Sequence, residues 1–173
     1  MRRLLALALL APTLLACKTL DEVAIGYADA ITTSSIPGES SYTAAAVSFP
    51  ALTDIDPLAS PALSRYEVAP EEVESVKLTH VELEGPSGAC GLPFAKLELQ
   101  LIAEELGPVS LATATGGECL EWTLATDTEL GPWFRQPSVT IQALADGEPW
   151  EGAAQSISLR VGFLVDVKDK RID

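Results

Sequence analysis

The chain has 173 residues, 11 Lys and Arg against 25 Asp and Glu, a net charge of −14 and a single histidine. Such an acidic surface repels nucleic acid and anionic lipid, and no basic run reverses the balance locally. One histidine excludes His-rich zinc sites and most metal triads, and a Ser-His-Asp hydrolase would have to use it, while the length suits one domain with a full core.

The N-terminus is built for export. Arg2 and Arg3 give a short positive start, and residues 4–16 are apolar apart from Pro12 and Thr13. As a helix this stretch covers only about 20 Å, against about 30 Å of hydrocarbon, and Pro12 weakens it further. Residues 1–16 therefore read as a signal peptide.

The segment Leu14-Leu15-Ala16-Cys17 resembles the lipobox of bacterial lipoproteins. In that family the cysteine thiol is acylated and a dedicated peptidase cuts before it. The resemblance makes Cys17 the lipidation site and the membrane, through that lipid, the first partner. Stable anchoring takes more than one acyl chain, and a lipobox cysteine carries at least two. In Gram-negative members an Asp after the cysteine favours retention in the inner membrane. Lys18 there implies the outer membrane and a place in the cell envelope. Residues 1–16 hold two arginines and no acid, so the mature chain carries −16. Residues 17–22 read as a tether and residues 23–173 as a single domain.

Apolar residues in that domain recur with period two, the signature of strands. Val23, Ile25, Tyr27 and Ile31 form the first set, and Tyr42 to Phe49 the second. Residues 50–66 carry Pro50, Pro57 and Pro61 with Asp54 and Asp56, and read as a long loop over one end of the fold. A helical turn fits near Ala69–Glu74, where acids follow Pro70. Val76 and Leu78 share one parity, whereas Val81 and Leu83 share the other. A β-bulge at Thr79-His80 lets all four face inward. Leu97, Leu99 and Leu101 follow, then Val109, Leu111 and Thr113, then Leu120, Trp122 and Leu124. A second helical turn fits within Asp127–Phe134, where Trp133 and Phe134 plug one end. Val139, Ile141 and Ala143 precede a long final strand with Ile157, Leu159, Val161, Phe163, Val165 and Val167 on one face. Gly and Pro pairs punctuate these runs. The pattern predicts an all-β fold, an antiparallel β-sandwich, Ig-like or related, with roughly seven or eight strands.

The block from Glu72-Val73-Glu74-Ser75-Val76-Lys77-Leu78-Thr79 to about Val167 resembles small, largely uncharacterised β-sandwich lipoproteins of Gram-negative bacteria. It shares an SVKLT-type strand, a Gly/Pro loop, a Leu-alternating strand and a valine-rich last strand. The resemblance implies the fold and carries no catalytic residue across.

Two cysteines remain once Cys17 is acylated. Cys90 and Cys119 sit in Gly-rich loops of a chain sent to an oxidising compartment, and a structural disulfide between them is expected. They do not form a C-x-x-C redox pair.

His80 lies mid-strand with no G-x-S-x-G before it. No Walker loop or G-x-G-x-x-G is present, and nothing singles out one acid pair from 25 carboxylates. No catalytic residue, metal ligand or cofactor is therefore assigned. Trp150, in the polar run Asp146-Gly147-Glu148-Pro149-Trp150, is a candidate exposed anchor for a sugar or a partner. Asp54 and Asp56 are candidate oxygen ligands for calcium, although EF-hand spacing is missing. The expected function is a non-enzymatic binding or structural module docking another envelope protein. The alternative is a carbohydrate- or calcium-binding module, and a carboxylate-dependent enzyme comes third.

Overall fold

The computed structural model describes residues 19–32, 41–116, 119–148 and 153–171. Among them the chain forms β1 (Thr19–Thr32), β2 (Tyr42–Val47), β3 (Val73–Glu84), β4 (Phe94–Ala103), β5 (Gly107–Thr115), β6 (Glu121–Leu124), β7 (Thr140–Gly147) and β8 (Ser156–Arg171). Two single-turn helices, α1 (Pro61–Ser64) and α2 (Gly131–Phe134), interrupt the strands. All pairings are antiparallel, in a three-stranded sheet ordered β1-β8-β3 and a five-stranded sheet ordered β2-β7-β4-β5-β6. The all-β sandwich expected from the alternation is thus observed. No described helix is long and apolar enough to cross a membrane.

Alternation decides which side chains meet between the sheets. From β8, Ile157, Leu159, Val161, Phe163, Val165 and Val167 are all buried, and Leu97, Leu99, Leu101, Ile141, Ala143 and Ala145 face them from the larger sheet. The bulge lies where the parity switch puts it: the β3–β8 register shifts between Leu78 and His80, and Val76, Leu78 and Leu83 are buried with Val81 half-buried.

Residues 50–66 depart from the expected loop over one end. Pro50, Pro57 and Pro61 each start a helical turn, where a missing N–H costs nothing. The segment runs along the free side of β1. The Ala51 N–H donates to Asp29 Oδ2 at 2.7 Å and the Tyr27 hydroxyl to the Pro57 carbonyl at 3.2 Å, while Pro61–Tyr66 lies beside Glu22–Ala24. An Ile55↔Val139 bridge ties it to the other sheet, and Leu52 and Leu63 are fully buried. It closes the side of the sandwich and covers an edge that would otherwise invite pairing.

The β3 edge is covered by the segment leading into α2. Glu129 Oε1 accepts the Val76 N–H at 2.9 Å, Leu130 N–H donates to the Val76 carbonyl, and Arg135 donates to the carbonyls of Val73 and Glu74. Phe134 then drops into the core, edge-on to Phe163 with centroids 4.9 Å apart, a pairing worth about 1 kcal/mol beyond its burial. Trp133 is half-buried and donates from Nε1 to the Gly107 carbonyl. The expected aromatic plug is present. Trp122, expected in the core, is only half-buried. It sits on β6, a four-residue edge strand with one neighbour, so one flank lacks the second strand that would seal it.

Candidate functional site

Cys90 and Cys119 are bonded, as expected, with Cα atoms 3.9 Å apart. They form an isolated antiparallel bridge beside the Leu120 N–H to Ala89 carbonyl bond, so the disulfide ties the loop after β3 to the β5–β6 turn. Cys17 and Trp150 lie outside the described residues.

Asp54 and Asp56 are both exposed, and each is engaged locally. Asp54 has φ 55°, accepts the Ser138 hydroxyl and sends its N–H to Thr140 Oγ1. Asp56 Oδ1 accepts the N–H groups of Leu58 and Ala59 and so caps a helical turn. Both carboxylates hold the side-closing segment in place. Among the described residues no group of three or more His, Cys, Asp or Glu is arranged to hold a metal ion.

His80 lies exposed on the outer face of the smaller sheet, opposite Gly162. Its ring occupies the space above that glycine, where a β-carbon would meet Cε1 at 2.1 Å, and its near polar neighbour is the Thr79 hydroxyl. Asp21, Glu22, Glu74 and Asp166 line an open hollow at the end of the same sheet, where Ser75 donates to Asp166.

Two tyrosines anchor loops to strands. The Tyr42 hydroxyl donates to the Pro93 carbonyl at 2.9 Å. Burial, and secondarily the Glu148 carboxylate, push its pKa up to about 12. Burial raises Tyr27 further, with Asp56 adding to it.

The outer face of the larger sheet carries its charges toward one end. Register aligns its outward side chains in rows across the strands. Thr140, Ile102 and Pro108 form one row, and Gln142, Gln100 and Ser110 the next. Leu144, Glu98, Thr113 and Thr123 follow, with Asp146, Lys96, Thr115 and Glu121 at the far end. The first two rows hold no charge on a protein whose net charge is −14. Sequence reasoning missed this face. The polar phase of each strand was readable, but alignment into neutral rows depends on register and on the bulge between Leu99 and Gln100. No family model, curated protein or solved structure matches the chain.

Proposed function

We propose that this protein is a lipid-anchored module of the bacterial cell envelope that docks another envelope protein through the outer face of its larger sheet. The anchor reading rests on Leu14-Leu15-Ala16-Cys17, and Lys18 favours the outer membrane. The docking reading rests on one observation, the uncharged rows of Thr140, Ile102 and Pro108 and of Gln142, Gln100 and Ser110. Interface centres are depleted of charge relative to the rest of a protein surface. A partner seated on these two rows desolvates no charged side chain of theirs.

A photo-crosslinking residue at Gln142, in native membranes, tests this. A single stoichiometric envelope protein is expected. The adduct should vanish when Ser110→Glu and Pro108→Glu place charge in the rows, with the melting temperature held. A lipidated monomer that crosslinks to nothing, or an adduct indifferent to those charges, refutes docking at this face.

A further inference from the structure

The expected tether at residues 17–22 is mostly strand. β1 begins at Thr19, and β1 and β8 are paired as far as Leu20↔Lys170 and Thr19↔Arg171. β3 joins β8 only from Val73↔Val167. Residues 168–171 of β8 therefore have β1 as their one strand neighbour, and this two-stranded ribbon projects at most about 10 Å past the third strand, the length of Thr19–Asp21 of β1 at about 3.3 Å per residue, since the register shift takes up the extra residues of β8. From Thr19 the chain has two residue steps to Cys17, a reach of about 7 Å at most.

We propose that the β1–β8 ribbon is the membrane-facing end of the domain, held against the lipid headgroups by the acyl chains on Cys17, so that the sandwich stands upright. This rests on the anchor reading. The linker is too short to let the domain drift away or invert, so the ribbon tip stays at the bilayer surface. Lying down is opposed by charge, because a domain this acidic laid along an anionic surface is repelled over its whole length. The disulfide-tied loops then point away from the membrane, because β3 ends at Glu84 opposite Ser158, whose β1 partner Ala30 lies ten positions, or roughly 33 Å, from Leu20. Strands along the membrane normal leave the neutral rows facing sideways, toward a neighbour standing in the same membrane.

The test uses the full-length acylated protein in vesicles carrying a headgroup-attached collisional quencher. Lys170→Cys and Ser87→Cys each introduce one free thiol for a fluorophore, since Cys90 and Cys119 are bonded and Cys17 carries lipid. The Lys170 label is expected to lose most of its emission and the Ser87 label to keep it. A flexible Gly-Ser insert between Lys18 and Thr19 should erase most of that difference while acylation persists. Equal quenching at both sites in acylated protein overturns the upright placement and leaves the anchor standing. A difference untouched by the insert overturns the role of the short linker. An N-terminal peptide whose mass lacks acyl chains overturns anchor and orientation together.

Discussion

A β-carbon on Gly147 would lie 2.1 Å from the Pro93 carbonyl oxygen, the same oxygen that accepts the Tyr42 hydroxyl. Three chain segments meet there: the end of β7, the start of β2 and the residue before β4. The obstacle is backbone, so relief requires moving β4 or β7. Gly147→Ala should cost about 2–3 kcal/mol by overpacking, read as a shift in urea midpoint at unchanged slope. A midpoint within error of the parent would show that this junction yields freely.

Gly162 makes a similar close approach to the His80 ring, with a different expected cost. Here the obstacle is an exposed side chain that can swing outward. Gly162→Ala should cost about 1 kcal/mol, mostly from the displaced ring, and much of it should disappear in a His80→Ala background. Additive losses in the double-mutant cycle would mean that the backbone, and not the imidazole, limits the site.

Glu129 Oε1 accepts two backbone N–H groups, Val76 at 2.9 Å and Gly131 at 2.6 Å. Glu129→Ala strips both donors and unseals part of the β3 edge. A loss of about 1–3 kcal/mol is expected, with increased aggregation on storage. Glu129→Gln keeps a carbonyl oxygen and should lose less. Calorimetry together with light scattering separates the two effects. Equal losses from both substitutions would refute the acceptor role.

The Cys90–Cys119 bridge closes a separation of 29 residues. In the chain-entropy model its removal costs roughly 3–4 kcal/mol. The Cys90→Ser, Cys119→Ser protein should unfold at correspondingly lower urea than the oxidised parent. Coincident unfolding curves would place the loop's stability elsewhere.

Alkaline pH should destabilise the fold through its tyrosines. Tyr42 is pushed up to about 12, burial leading and Glu148 following, and burial also raises Tyr27. The folded state keeps phenolic protons that the unfolded chain releases near pH 10. Their contribution is complete below about pH 10 and is lost as pH rises toward the folded values. Both hydroxyls donate hydrogen bonds, which only the protonated form can do. Melting temperature should fall as pH rises from about 10 to 12. Tyr27→Phe should flatten that fall more than Tyr42→Phe, because Tyr42 is more exposed and its charge better screened. Slopes unchanged in both variants would assign the alkaline loss to other groups.

Much of this molecule was legible before folding. Period-two alternation marked the strands, the parity switch at Thr79-His80 marked a bulge, and Cys90 and Cys119 in their Gly-rich loops were expected to pair, because each signal is local in the sequence. Trp122 was in phase for the core, yet phase does not reveal that β6 lies at an edge. The prolines of residues 50–66 announced a break in the strands but not that Leu52 and Leu63 would be buried along β1, since loop polarity says nothing about which side is open. The neutral rows of the larger sheet and the ribbon reaching Thr19 were likewise decided by tertiary structure. Both depend on register between strands far apart in sequence. A side chain's face repeats within its own strand, whereas its cross-strand neighbour is fixed only when the whole core closes.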